Sequence, residues 1–186
     1  MAPSTSLMSV VSVLLLLLPT SSASNEILAA CKTVGGGSTY FGVQFCQEAL
    51  GSVAGGNVSM DYQVFAGLAV GLLADNATST TAKIDRLLRG GGGGVKVNAE
   101  DEGAVARCLL SCRSLYGGIV DGGPACTAAV KAGKFAEATA ILEKAAAAAK
   151  ACEDRFGKNK ASSPLSAEDD DAFMLAKLGV ALIGFA

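Results

Sequence analysis

The chain has 186 residues, with 15 Lys plus Arg against 17 Asp plus Glu, six Cys, no His and no Trp. Without His there is no Ser-His-Asp or Cys-His pair for nucleophilic catalysis and no His-ligated zinc site. A net charge of −2 with dispersed Lys and Arg, and 5% aromatic residues, leave neither a basic face for nucleic-acid phosphates nor platforms for stacked bases.

The length fits one domain behind a leader. Leu7, Met8, Val10, Val11, Val13 and the run Leu14 to Leu18 form an apolar core closed by Pro19, and Ser21-Ser22-Ala23 follows as a small-x-small site. The stretch falls short of the roughly 20 apolar residues a spanning helix needs. The reading is a cleaved signal peptide over residues 1–23 and a secreted domain over 24–186, with no membrane association after cleavage.

Secretion turns Cys31, Cys46, Cys108, Cys112, Cys126 and Cys152 into a disulfide framework whose pairing spacing alone does not choose. Tight CxxC pairs are absent, so no metal site is expected. Asn57-Val58-Ser59 and Asn76-Ala77-Thr78 are candidate glycan acceptors.

The first clear helix runs from Asp61 to Leu88, with Phe65, Leu68, Leu72, Ile84, Leu87 and Leu88 at three- and four-residue spacings and Asp75-Asn76 as a break point. Gly90 to Gly94 then reads as an inter-helix loop, since Val95 stands where a phosphate loop would place Lys and Ser or Thr. Val105, Leu109, Cys112, Tyr116 and Ile119 mark the next helix. Its second half is suspect, because Gly117-Gly118 and Gly122-Gly123-Pro124 weaken a helix.

Ala138, Leu142, Ala145, Ala149, Cys152 and Phe156 form an apolar seam along another helix. Beyond Pro164, Ser166 is expected to cap a final helix whose face carries Leu175, Leu178, Leu182 and Phe185. Asp169 to Asp171 are read as complements of that helix's dipole. Strand signals are nearly absent, so the expected architecture is an all-α, antiparallel helix bundle. Cys112 and Cys152 sit on facing stripes at similar distances to either side of Gly133, which favours a bridge between them.

These residues resemble the plant invertase and pectin methylesterase inhibitor family. The resemblance is carried by Cys31-Lys32-Thr33 with Phe45-Cys46, by Cys108-Leu109-Leu110-Ser111-Cys112 with Tyr116, by Gly133-Lys134-Phe135, and by Cys152-Glu153-Asp154-Arg155-Phe156. It covers the whole mature chain. It implies a four-helix bundle with an N-terminal helical hairpin, disulfides Cys31–Cys46 and Cys112–Cys152, and no cofactor or catalytic residue.

The sequence departs from the family pattern at Gly35-Gly36-Gly37, which lengthens the hairpin, and at the extra Cys108 and Cys126. On an unbroken helix these two would lie roughly 27 Å apart. Bridging them needs a break at Gly122-Gly123-Pro124. Otherwise they are buried thiols, or pair between molecules in a dimer.

The implied function is inhibition of a plant acid invertase or, alternatively, of a pectin methylesterase, in the apoplast or the vacuole. Invertase inhibitors of the family carry Pro-Lys-Phe where this chain has Gly133, Lys134 and Phe135, and a Lys on a projecting turn complements the paired carboxylates of a glycosidase. Replacing Pro by Gly is expected to keep the turn and loosen it. Phe135 reads equally as a residue tucked against the bundle. Pectin methylesterase inhibitors carry a Trp-Leu-Ser-Ala-Ala-Leu run. Here Ile141-Leu142-Glu143-Lys144-Ala145 stands instead, which tips the reading to invertase. A secreted lipid carrier is a remote alternative, and an enzyme the weakest, since an Ala-rich bundle is expected to lack a pocket.

Overall fold

The computed structural model describes residues 21–53, 61–90 and 99–186, so the apolar leader core and Asn57 lie outside the described residues. Among the described residues six helices follow in order: α1 Ser21–Gly35, α2 Val43–Val53, α3 Tyr62–Leu88, α4 Ala99–Lys131, α5 Phe135–Lys158 and α6 Ser166–Ile183. Among the described residues there is no strand. Helices α3 to α6 pack as a four-helix bundle, each against its chain neighbour, with α6 closing the ring onto α3. The α1–α2 hairpin rests lightly on α3 and α6.

The apolar stripes explain the ring. Phe65 and Ile84 of α3, Leu109, Cys112 and Tyr116 of α4, Leu142, Cys152 and Phe156 of α5, and Leu175, Leu178 and Leu182 of α6 are all buried. Small residues let the axes approach: Ala138, Ala145, Ala146 and Ala149 of α5 are buried, and a Cβ on Gly179 would come within 3.0 Å of Leu142 Cδ1. Two disulfides staple the fold. Cys31–Cys46 ties α1 to α2, and Cys112–Cys152 ties α4 to α5 at a Cα separation of 4.9 Å.

The lengthened hairpin loop uses its glycines. A Cβ on Gly36 would sit 2.6 Å from the Lys32 carbonyl oxygen, and one on Gly35 would meet the Val43 backbone at 3.1 Å. Across the loop, Tyr40 stacks edge-on against Phe173 of α6, and Lys177 Nζ lies over the Tyr40 ring at 4.7 Å. These contacts hold the hairpin to the bundle.

Four local expectations are corrected. Helix α3 is continuous through Asp75-Asn76, because Asp61 caps its start by accepting from the Gln63 and Val64 amides and buried Leu73, Ala77 and Thr80 carry it across. Helix α4 runs on through Gly122-Gly123-Pro124 to Lys131. Packing against α3 and α5 outweighs the lost proline donor. Ser166 is the first residue of α6 and not its cap: Leu165 occupies the cap position, and the Ser166 hydroxyl donates to Glu153 Oε1 at 2.9 Å. Phe185 lies beyond the end of α6 and is exposed, its ring 5.4 Å from that of Tyr62.

Candidate functional site

The Gly133-Lys134-Phe135 turn joins α4 to α5 at one end of the bundle. Gly133 has φ +67°, its amide donates to the Val130 carbonyl at 3.1 Å, and the Lys134 amide donates to the Ala129 carbonyl at 2.9 Å. That pair of bonds is a Schellman closure, with glycine in the left-handed position that costs other residues strain. Glycine thus supplies a closure of its own in place of a proline's fixed φ. Proline is fixed near φ −65° and has no amide hydrogen, so it cannot stand at Gly133 in this closure. The turn is held by its own hydrogen bonds.

A second brace comes from α3. Gln63 Nε2 donates at 2.7 Å to the Val130 carbonyl, which also accepts from Gly133, and at 3.3 Å to that of Lys131, a carbonyl left open at the end of α4. Sequence reasoning passed over Gln63, because nothing in a single Gln announces that it will cap another helix.

Lys134 is exposed. Its ammonium lies 3.8 Å from the Glu137 carboxylate, and the two side chains are 65% and 55% exposed, so the pair is weak and the cation faces solvent. Phe135 is half-buried and packs against the core. Of the two readings of Phe135, the structure has the tucked one: Lys134 projects, and Phe135 leans inward.

A cavity of about 390 Å³ opens between α3, α4 and α5, its α5 lining beginning at Ile141, six residues past Phe135, where sequence reasoning expected no pocket. Gly118 and Gly122 clear its α4 wall, Ile141 and Ala145 form its α5 wall, and Cys126 contributes a thiol. Burial pushes that thiol up to about 11, so it stays protonated and is a poor nucleophile. Its Sγ lies 3.8 Å from the Ala138 carbonyl, whereas Cys108 Sγ lies 3.5 Å from the Arg155 carbonyl at the other end of α5. Both are free and buried on a continuous α4. They are two separate core thiols, and a disulfide-linked dimer through either would require the bundle to open.

The remaining candidates are structural. Cys31, Cys46, Cys112 and Cys152 are consumed in the two bridges. Asn76 is half-buried within α3, and its amide donates to the Glu168 carbonyl at 3.4 Å. Asp169 stands in the first turn of α6, as the dipole reading has it, but is buried. It accepts from the Tyr116 hydroxyl at 2.6 Å. Among the described residues no cluster of three or more Cys, Asp or Glu side chains is arranged to hold a metal ion, and no helix is long and apolar enough to cross a membrane.

Residues 25–182 match the family model described as plant invertase/pectin methylesterase inhibitor. The chain belongs to this family. The match begins two residues past the expected cleavage position and runs to the last turn of α6, so the hairpin and the four-helix bundle together make up the inhibitor fold. No curated protein matches the chain. Membership in the inhibitor family supports a proteinaceous inhibitor of invertase or of pectin methylesterase, does not choose between them, and fits a protein that is not an enzyme.

Proposed function

We propose that this protein is a secreted inhibitor that occupies the active-site cleft of a plant acid invertase, in the cell wall or the vacuole, with the α4–α5 turn as its leading contact. The observation that carries this reading is Lys134: an exposed cation with only a weak partner, on a turn closed by two backbone hydrogen bonds and braced by Gln63. A turn whose backbone is already held loses little backbone freedom on docking, and its cation complements paired carboxylates in a sugar-sized pocket. The expected signal peptide supports secretion, and so does the family match, which begins just after it.

One observation favours the second reading, inhibition of pectin methylesterase through helix faces. Phe135 leans on the bundle and is only partly available as an apolar anchor. The Lys134→Ala, Phe135→Ala double variant distinguishes the two. Under the invertase reading it loses inhibition of acid invertase while its helical content and thermal unfolding stay close to the parent's. Undiminished inhibition by a folded double variant overturns the contact assignment.

A further inference from the structure

At the end of the bundle remote from the Gly133 turn, four helices converge on one buried carboxyl group. Asp169 of α6 is 2% exposed. Its Oδ1 accepts from the Tyr116 hydroxyl of α4, while its Oδ2 is buried with no partner. Facing it from α5 is Glu153, whose Oε1 accepts from the Ser166 hydroxyl and whose Oε2 is likewise buried and unpartnered. Ser166 stands three residues before Asp169, so its hydroxyl holds Glu153 against the first turn of α6, and the Glu153 charge bears on the Asp169 carboxyl. From α3, Thr80 faces the Tyr116 hydroxyl, and Lys83 pairs at 2.6 Å with Glu168, the α6 neighbour of Asp169. The one cation in the group is therefore engaged by a different carboxylate.

Two buried oxygens that can only accept, facing each other, leave each without a donor, and burying such groups unsatisfied costs stability. One proton supplies the missing donor. We propose that Asp169 and Glu153 share a single proton across the α5–α6 interface, so that this end of the bundle is bound most tightly in acid and loosens as the proton is lost.

Burial, opposed by the Tyr116 hydrogen bond and reinforced by the Glu153 and Glu168 charges, pushes the Asp169 carboxyl from its ordinary 3.8 up to about 7. The sign follows from linkage. The stabilisation is fully present below the ordinary carboxylate range and is lost as pH rises towards 7, with the unfolding constant growing by up to about tenfold per pH unit.

The test is reversible urea unfolding of the disulfide-intact protein from pH 4 to pH 8, with Asp169→Asn and Glu153→Gln alongside. The Asn amide reproduces the neutral carboxyl: its oxygen accepts from Tyr116 and its nitrogen donates to Glu153. Asp169→Asn should therefore flatten the decline between pH 4 and 7 and be more stable than the parent at pH 7.5. Glu153→Gln offers an ionised Asp169 a donor and should flatten it too, which keeps the test open if one variant fails to fold. Infrared spectra of Asp-labelled protein should show a protonated carboxyl persisting to pH values where ordinary Asp is ionised.

Three results would overturn the shared proton: a parent whose stability is level from pH 4 to 7, variants that retain the parent's slope, or calcium stabilising the parent at pH 7.5 but not Asp169→Asn. The last would make the orphan oxygens cation ligands. Unfolding reports the shared proton whichever enzyme the protein inhibits.

Discussion

Replacing both Cys112 and Cys152 by Ala should be the most damaging change available at the disulfides, and its size can be worked from the topology. The bridge closes a sequence separation of 40, against 15 for Cys31–Cys46. Loop-closure entropy then gives about 4 kcal/mol for the first and about 3 kcal/mol for the second. Place in the fold widens the difference. Cys112–Cys152 joins two bundle helices through side chains that are fully buried, so its loss is felt in the global transition. Cys31–Cys46 joins two helices that touch the bundle lightly, so part of its loss appears as opening of the hairpin alone.

The assay is urea unfolding followed by far-ultraviolet circular dichroism, comparing the two paired-alanine variants with the parent. The Cys112/Cys152 variant should lose about 4 kcal/mol, equivalent to roughly 8–16 °C in Tm for a chain of this size. A smaller global loss from that pair than from Cys31/Cys46 would refute the loop-length and placement reasoning together.

Other outcomes follow from single contacts. Gly179→Ala places a methyl 3.0 Å from Leu142 Cδ1, and the crowding, about 1–3 kcal/mol, should outweigh a helix-propensity gain of about 1 kcal/mol and leave a net loss of up to about 2 kcal/mol. Combining it with Leu142→Val should recover part of that loss, and strict additivity of the two changes in unfolding free energy would contradict the contact. Cys108 and Cys126, 3% and 2% exposed, should resist a thiol reagent in the native protein and react together on unfolding. Rapid native labelling of either would contradict their burial. Gly133→Pro removes one closing hydrogen bond and forbids the positive φ, so it should lower stability by about 3 kcal/mol or more, read as a shift in the urea midpoint.

The bundle was legible because its stripes are simple. The seam from Ala138 to Phe156 alternates by four and three residues, and every member predicted to face inward is buried. The similar distances of Cys112 and Cys152 from Gly133 placed them side by side, as the structure has them.

What failed was local, and for one reason: tertiary partners outweighed residue propensity. Pro124 sits inside α4 because α3 and α5 hold that helix on two sides. Ser166 gave up the cap position because Glu153, 13 residues earlier in sequence, accepts its hydroxyl. Asp169 read only as a complement of the helix dipole, one of an acidic run from Glu168 to Asp171. No pattern within six residues reveals that Tyr116, 53 positions away, turns it inward.

The candidate contact was visible only in part. Lys134 could be named through the family resemblance, which sets Gly133-Lys134-Phe135 against Pro-Lys-Phe. The closure that makes the turn rigid needed the φ of Gly133, and the brace needed Gln63 to arrive from another helix. The cavity between α3, α4 and α5 also escaped sequence reasoning, because Gly118 and Gly122 read as helix weakeners when their effect is to leave room.

The central claim is inhibition of an acid invertase through the α4–α5 turn. Its most direct measurement is a titration of the purified, oxidised protein against an acid invertase and a pectin methylesterase in parallel, under matched pH and ionic strength, with the Lys134→Ala, Phe135→Ala variant beside the parent. The account predicts saturable inhibition of the invertase by the parent, loss of that inhibition in the folded variant, and no comparable effect on the pectin methylesterase. Saturable inhibition of the pectin methylesterase alone, equal for parent and variant, would contradict it.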